Sequence, residues 1–170
     1  MSPTATVSSL QDALRQLPRG TLVGVDGFMN SGKTYLATAL AESLGGMVVH
    51  TDDLLDDGDE SLPYLGRLNL AKLKTILSGP TADATLVIVE GICLREALGN
   101  LGIVPVAQVY VKRIAHNGLW HDGLHLEDFE NGERSLAGEP ELSVFRYHAA
   151  FRPYENAHYI VHRAEEASAL

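Results

Sequence analysis

Cysteine is nearly absent from this sequence, and long apolar runs are missing. The 170 residues include one cysteine, Cys93, so the chain cannot form an internal disulfide. Because Cys93 lies beside an apolar run, we expect a buried, inert thiol in a reducing compartment. No apolar stretch reaches the roughly 18 residues that a membrane-spanning helix needs, and residues 1–10 are polar rather than signal-like. These absences predict a cytoplasmic protein.

Positive charge is scarce as well. The formal net charge is -9, from 13 Lys and Arg against 22 Asp and Glu, and the longest basic run is the pair Lys112-Arg113. Since nucleic acids and anionic membranes both attract basic surfaces, we expect neither as a partner. A nucleotide is compatible with this charge, because its site is local and the accompanying Mg²⁺ supplies positive charge. The sequence does not indicate the oligomeric state.

The order of apolar and helix-forming segments predicts an α/β fold in a single domain, residues 1–170. Strands are predicted at 21–26, 47–50, 85–89, 104–111 and 158–162. Helices are predicted at 10–17, 34–44, 65–77 and 139–150. This alternation is typical of a mostly parallel sheet of about five strands with helices on both faces. Residues 118–138 have little apolar periodicity, and we interpret about 113–138 as an irregular, lid-like segment.

Polar residues follow the predicted strands at the point where each strand ends. They are Asp26, Asp52, Glu90 and Lys112. Ligands of parallel α/β sheets bind beyond the carboxyl ends of the strands. We therefore expect these side chains to converge at one edge of the sheet and to form a functional site there.

A phosphate-binding loop follows the strand at 21–26. Its residues are Gly27-Phe28-Met29-Asn30-Ser31-Gly32-Lys33-Thr34. Such a loop needs glycine where φ is positive or where a side chain would collide, and the next helix directs its positive dipole end at the anion. Lys33 is expected to reach the β- and γ-phosphates, and the Thr34 hydroxyl to ligate Mg²⁺. The rest of the predicted nucleotide cradle is Gly27, Asn30, Ser31 and Gly32.

This loop lies between a predicted strand and a predicted helix, which is the context that the motif requires. It predicts a three-layer P-loop NTPase fold and a site for a Mg-nucleotide. The alternative is an ordinary glycine-rich turn between a strand and a helix.

Two further strand ends carry candidate catalytic acids. Asp52 follows the strand at 47–50, where a kinase needs a carboxylate to orient a hydroxyl and accept its proton. Asp52 is also a candidate metal ligand, and Asp53 beside it is a candidate for acceptor binding. Glu90 ends the strand at 85–89, from which a carboxylate holds Mg²⁺ or contacts the acceptor. The alternatives are a solvated acidic loop for the aspartates and a helix cap or salt bridge for Glu90.

Taken together, the segments VGVDGFMNSGKT, VVHTDD, TLVIVEGI and RPYENAHYIV resemble the uridine kinase and phosphoribulokinase-like branch of P-loop kinases. The order and approximate spacing match over nearly the whole chain. The resemblance implies ATP and Mg²⁺ as cofactors, Asp52 as the catalytic base, and Glu90 at the metal site or the acceptor. It also implies that Arg152 and Pro153 border the adenine.

The sequence departs from that family in the lid and at two short motifs. The family's aromatic pair after the aspartate is Leu54-Leu55 here, and its Ala-Asp before the last strand is Ala157-His158. The family's lid is rich in arginine, which stabilises charge on the transferring phosphoryl group. Segment 112–123 holds one arginine, Arg113, which is therefore the candidate catalytic lid cation.

Trp120, in the same segment, is a candidate to stack on a base or on the acceptor ring. The alternative is an aromatic residue that anchors the lid by packing.

These features predict an ATP-dependent kinase that transfers the γ-phosphoryl group to a hydroxyl of a nucleoside-like or sugar-like small molecule. Two other functions stay open. The sparse lid arginines and the acidic loops favour a nucleotide-dependent switch or ATP-binding module that acts through a protein partner. A kinase with an anionic acceptor ranks below both, because it requires more basic residues around the acceptor pocket than the sequence shows. No motif determines the acceptor, or ATP over GTP.

Overall fold

A parallel sheet runs through the centre of the molecule. The computed structural model describes residues 4–79, 84–134 and 138–164. The strands are β1 (Thr4–Ala5), β2 (Thr21–Gly27), β3 (Met47–His50), β4 (Leu86–Glu90), β5 (Ala107–Ile114) and β6 (Tyr159–Ala164). They form a six-stranded sheet in the order β1-β6-β5-β2-β4-β3, and every pair is parallel. The carboxyl ends of all six strands therefore lie along one edge of the sheet.

Helices cover both faces of this sheet. They are α1 (Val7–Arg15), α2 (Lys33–Leu44), α3 (Tyr64–Arg67), α4 (Leu70–Ser78), α5 (Leu94–Asn100), α6 (His121–Glu130) and α7 (Glu141–Phe151), with a 3₁₀ turn at Thr51–Leu54. In the described part of the chain no helix is both long and apolar enough to cross a membrane.

One core lies between the sheet and helices α1 and α2. Leu10 and Leu14 lie one turn apart on α1, so both face inward, and they pack with Leu40 of α2 against Val23 and Val25 of β2. The other core lies on the opposite face, where α4, α5 and α7 pack on Val87 and Val89 of β4. Strands covered on both faces read as continuous apolar runs. The three-layer α/β arrangement predicted from the sequence is confirmed.

The structure differs from the predicted elements at the sheet edge and in the helices. The sheet has six strands rather than about five, because the two-residue β1 pairs with β6, a run too short to show a pattern. Helix α5 was not predicted. The helix predicted at 65–77 is two helices, α3 and α4, because Leu68 is extended and Asn69 caps α4 by accepting a hydrogen bond from the N–H of Lys72 at 2.9 Å.

The segment interpreted as irregular is partly helical. Helix α6 occupies its middle, and residues 135–137 lie outside the described part of the chain. Asp122 and Leu126 are the buried residues of α6. Because this buried face is so small, the sequence shows no helical periodicity here. Packing against α7 and β5 stabilises the helix instead.

The strand register places the carboxyl ends of β2, β3, β4 and β5 side by side. Val25 of β2 and His50 of β3 both lie beside Glu90 of β4, and Gly27 of β2 lies beside Val111 of β5. Gly91 allows the turn after β4 to approach the turn after β3, since a Cβ at Gly91 would overlap the Thr51 hydroxyl. Residues at or just after the ends of β2, β3 and β4 therefore border one cleft, among them Asn30, Asp52 and Glu90. Of the other expected residues, Asp26 lines a separate cavity and Lys112 lines neither.

Candidate active site

The phosphate loop is shaped by positions that exclude a side chain. A Cβ at Gly27 would lie 2.7 Å from both the Ser31 Oγ and the Val111 carbonyl oxygen. Gly32 has φ of 95°, and a Cβ there would overlap the guanidinium of Arg163. Asn30 is left-handed as well, with φ of 57°. The Ser31 Oγ is buried and has no hydrogen-bond partner among the described residues. These features fit a cradle of main-chain amides for an anion.

Lys33 lies beneath this cradle and is 7% exposed. Its Nζ donates a hydrogen bond to the Phe28 carbonyl oxygen at 2.7 Å. Burial lowers the pKa of Lys33, and the charges of nearby acids, led by Glu90 and Asp26, act in the opposite direction. A phosphate oxygen in the loop would replace the Phe28 carbonyl as the partner of this ammonium group.

Glu90 connects the loop to the neighbouring strand. Its Oε1 accepts a hydrogen bond from the Thr34 hydroxyl at 3.1 Å and lies 2.7 Å from the His50 Nδ1. A hydroxyl and a carboxylate are the oxygen ligands that Mg²⁺ prefers. Thr34 and Glu90 therefore fit the metal role expected of them. The contact of His50 with Glu90 was not anticipated from the sequence.

Asp52 lies in the same cleft, and its orientation is fixed by Tyr64. The Tyr64 hydroxyl donates to the Asp52 Oδ1 at 2.7 Å and lies 2.8 Å from the Thr51 Oγ1. Burial, together with the charge of Asp52, raises the pKa of Tyr64, so the phenol keeps its proton and remains a donor. Within the described residues, the Asp52 carboxylate is hydrogen-bonded through its Oδ1, to Tyr64.

The cleft has a volume of about 700 Å³. The predicted site residues that line it are Asn30, Gly32, Lys33, Thr34, Asp52 and Glu90. The other lining residues are Met29, Tyr35, Leu55, Tyr64, Arg67, Ile92, Pro140 and Arg163. The structure thus brings the loop, the candidate metal ligands and the candidate base to one place.

Two predicted residues before β6 lie elsewhere. Arg152 ends α7 and forms ion pairs with Glu130 at 2.9 Å and Glu155 at 3.2 Å. Pro153 lines a separate cavity of about 240 Å³ with Ala157. Because β6 is parallel to β2, residues that precede β6 lie near the sheet edge opposite to the phosphate loop. Arg152 and Pro153 do not line the cleft, and their expected position beside the adenine stays a prediction.

Trp120 and Lys112, both in the lid segment or at its start, also lie outside the cleft lining. The Trp120 ring contacts Phe28 at 5.9 Å and Tyr154 at 4.9 Å between ring centroids. Lys112 Nζ lies 4.3 Å from the centroid of Trp120, a cation–π contact. Trp120 thus packs among aromatic rings at the start of α6, as in the alternative given above, and its acceptor-stacking role stays a prediction.

Arg113 and Asp53 do not line the cleft either. Arg113 donates to the Asp122 Oδ1 at 3.4 Å, at the base of α6. Asp53 is exposed on the 3₁₀ turn. Asp52 is exposed on the same turn, and of the two aspartates it is Asp52 that lines the cleft.

Two arginines enter the cleft without having been predicted. Arg163, on β6, lies over Gly32 and 5.7 Å from the Tyr35 ring centroid. Arg67 ends α3 on the other side. The predicted last strand stopped at residue 162, and the predicted helix ran through residue 67. The sequence signal for Arg163 is the alternation of side chains along the last strand. Arg163 lies two residues after Val161 and therefore points to the same face of the sheet.

The floor of the loop holds two buried titratable side chains. The Asp26 carboxylate accepts hydrogen bonds from the Gly27 N–H at 2.7 Å and from the Tyr147 hydroxyl, and burial raises its pKa to about 6. His148 stacks on Phe28 with ring centroids 3.7 Å apart. Burial lowers the pKa of His148 to about 3. The ring is therefore neutral, hydrogen-bonded to the Val144 carbonyl and the Tyr110 hydroxyl.

Comparison with known proteins supports the architecture. No protein-family model matches the sequence, and no curated protein gives a significant match. Among solved structures, a possible uridine kinase from Bacillus stearothermophilus matches with a TM-score of 0.61 at 16% identity, covering 91% of this chain and 96% of that one. TT1252 from Thermus thermophilus is 18% identical over 88% of this chain and 91% of its own, and its TM-score of 0.39 is too low to bear on the fold.

The protein therefore shares its three-layer α/β fold with a possible uridine kinase. This confirms the fold class and the resemblance drawn from the sequence. At this level of identity the likeness shows the fold, and the activity has to be argued from the cleft.

Proposed function

We propose that the protein is an ATP-dependent kinase that transfers the γ-phosphoryl group to a hydroxyl of a small molecule. The observation that carries the proposal is the presence of Lys33, the Thr34–Glu90 pair and Asp52 in one cleft. Nucleotide binding alone requires the first two. Transfer to an alcohol requires in addition a carboxylate positioned near the transferred group, and Asp52 is that carboxylate.

In this proposal the loop amides and Lys33 hold the nucleotide phosphates. Thr34 and Glu90 would hold Mg²⁺, which when bound neutralises phosphate charge. Asp52 orients the acceptor hydroxyl and accepts its proton. The acceptor oxygen forms a bond to the γ-phosphorus as the bond from that phosphorus to the β,γ-bridging oxygen breaks, and ADP leaves.

Arg163 is the proposed source of the positive charge that the lid lacks. It lies over Gly32, on the phosphate side of the cleft, whereas Arg113 bonds to Asp122 outside the cleft lining. A guanidinium at this position stabilises charge on the phosphates during transfer.

The acceptor is proposed to be a nucleoside-like or sugar-like molecule. The wall beside Asp52 includes Leu55, Tyr64 and Ile92, which suit a compact ring. Neither a nucleic acid nor a membrane is part of this proposal, and we place the activity in the cytoplasm.

Calorimetry on the wild type, Lys33→Ala and a matched control, Lys74→Ala, tests the nucleotide site. Lys74 is exposed on α4, far in sequence from the loop. The wild type and Lys74→Ala should bind a non-hydrolysable ATP analogue only when Mg²⁺ is present. Lys33→Ala should bind it about tenfold more weakly or worse, because a charge-assisted contact to phosphate is lost. Absence of Mg-dependent affinity in the wild type would refute the proposal.

A coupled assay on a panel of nucleosides and sugars then separates a kinase from a switch. Phosphoryl transfer to any member supports the kinase. ATP hydrolysis that needs no acceptor, together with a protein partner that co-purifies in one nucleotide state only, would favour the switch instead.

A further inference from the structure

A second cavity, of about 240 Å³, lies between the sheet and helix α5. Its floor is formed by β2 and β5. In the register of these two strands Gly24 lies beside Gln108 and Asp26 lies beside Tyr110, so all four residues belong to one face of the sheet. Residues 27–34 do not line this cavity, which is therefore separate from the nucleotide cleft.

The walls of this cavity are mostly apolar. Helix α5 and the segment before β5 supply Leu94, Leu98, Ile103, Val104 and Pro105. Val104 and Phe151 line the cavity and are exposed, so they mark its opening to solvent. Protein interiors leave few voids larger than a water molecule, and a cavity of roughly 150 Å³ is enough to hold a benzene ring. The space therefore suits the apolar body of a small molecule.

Of the described residues that line this cavity, Asp26 is the acid, and it is 8% exposed. No ion pair found within the described ranges includes it. Its carboxylate accepts hydrogen bonds from the Gly27 N–H and the Tyr147 hydroxyl, and two carboxylate oxygens can accept about four. A buried carboxylate without a paired cation is costly. A ligand that carries a cation would offset this cost.

The cations nearest to Asp26 in the structure are directed elsewhere. Burial raises the pKa of Asp26, and Arg95 opposes that shift through its main-chain N–H. The charge of Lys33 opposes the shift as well, but the Lys33 Nζ donates to the Phe28 carbonyl oxygen at 2.7 Å, and Lys33 lines the other cleft. The cavity thus combines an apolar wall with one buried carboxylate.

We infer that this cavity is a second binding site, for a small organic amine whose ammonium group pairs with Asp26 and whose compact apolar body lies against α5. The charge of the ligand follows from the carboxylate, and its size follows from the volume of the cavity. This inference does not rest on the proposed kinase function, because the tests below are carried out without nucleotide.

The first test compares three probes that share a phenyl ring on a short chain. They are phenethylamine, a cation, 2-phenylethanol, which is neutral, and 3-phenylpropanoate, an anion. Each is added to the full chain at pH 7.5, and backbone amide resonances are followed by NMR. We expect saturable shifts at residues 24–27 and 94–99, with the amide of Gly27 reporting directly on Asp26 because it donates to that carboxylate at 2.7 Å.

Phenethylamine should bind at least about tenfold more tightly than 2-phenylethanol, because a hydrogen bond to a charged group is added, and 3-phenylpropanoate should bind most weakly. Equal affinity for the amine and the alcohol would overturn the inference. So would shifts confined to residues 30–34 and Asp52, since these would place the probe in the nucleotide cleft.

Asp26→Asn tests the charge. Asparagine keeps the size of the side chain and can still accept the hydrogen bond from the Gly27 N–H. We expect the affinity for phenethylamine to fall about tenfold to a hundredfold, with the affinity for 2-phenylethanol unchanged. An unchanged affinity for phenethylamine, or an equal loss for both probes, would contradict the pairing with Asp26.

Gly99→Trp tests the location and leaves Asp26 intact. Gly99 lines the cavity and is exposed on α5, and a Cβ there would meet no atom within 4 Å, so a larger side chain can be accommodated. Asn100→Trp is the matched control, because Asn100 is exposed on the same helix and does not line the cavity. Gly99→Trp should weaken binding of phenethylamine and 2-phenylethanol, and Asn100→Trp should weaken neither. Equal binding by the two variants would place the probe elsewhere and refute the inference.

Discussion

The two walls of the cleft are built in different ways. The phosphate wall is a continuous segment, residues 27–34, whose shape depends on main-chain conformation and on two glycines that leave no room for a side chain. The acceptor wall is assembled from side chains of separate elements, among them Asp52, Tyr64 and Arg67. A site made of main-chain groups can be predicted from the local sequence, whereas a site made of side chains depends on how distant segments pack. In the proposed kinase, the first wall would bind phosphate of any nucleotide, and the second would determine the acceptor.

Asp52→Asn is expected to affect the acceptor wall alone and gives the largest effect. Asparagine keeps the size of the side chain and still accepts the hydrogen bond from Tyr64, but it cannot accept the hydroxyl proton. We expect kcat to fall by about 10²- to 10⁴-fold, with nucleotide affinity unchanged by calorimetry. Transfer at the wild-type rate would show that Asp52 is not the base.

Arg163→Met is the complementary change on the phosphate wall. It should weaken binding of the Mg-bound ATP analogue about tenfold, because a guanidinium over Gly32 is lost. The KM of the acceptor should change little. Titrations of the variant and of Arg15→Met compare the effect with that of removing a surface arginine. If acceptor binding changes more than nucleotide binding, the division of the cleft into two walls fails.

The buried groups under the phosphate wall give a smaller effect, on stability. Asp26 has a pKa raised to about 6 from an ordinary 3.8, so between these values the folded protein binds a proton that the unfolded chain does not, and stability falls as pH rises. His148 has a pKa lowered to about 3 from 6.5, so its contribution falls as pH decreases. In the window from pH 4 to 6 the two contributions oppose each other.

Asp26→Asn should remove one of these contributions. The variant should lose stability on acidification from pH 6 to 4 more steeply than the wild type, by about 1.4 kcal/mol per pH unit. Urea unfolding at several pH values measures this difference. Parallel pH profiles for the two proteins would show that Asp26 does not titrate in that window.

The fold was predictable from the sequence wherever a pattern was local. The strands around Val23 and Val87 are buried on both faces, and their apolar runs are continuous, so they could be read directly. The phosphate loop and the acids Asp52 and Glu90 were predictable for a related reason, since each directly follows a strand and parallel strands end at one edge. The structure brings these residues together, and their catalytic roles stay predictions.

The rest depended on packing that leaves no local signal. Helix α6 buries few apolar residues, and its N-terminal Trp120 packs between aromatic rings instead of entering the cleft. Arg67 and Arg163 were not predicted from the sequence. Arg67 is placed by the pairing of Leu55 with Leu68, and Arg163 by the register of β6 against β5. Arg152 and Pro153 were placed by resemblance, at positions that precede a strand rather than follow one.

Phe28 belongs to the phosphate loop, but its ring lies in the core, 3% exposed and stacked on His148. In the proposed kinase, a nucleotide would meet a loop that Phe28 already anchors to the core, so its binding would lose little conformational entropy in ordering the loop. The same ring contacts Trp120, at the start of α6. Any displacement of that helix would therefore have to be accommodated at the Phe28 ring, beneath the phosphate loop.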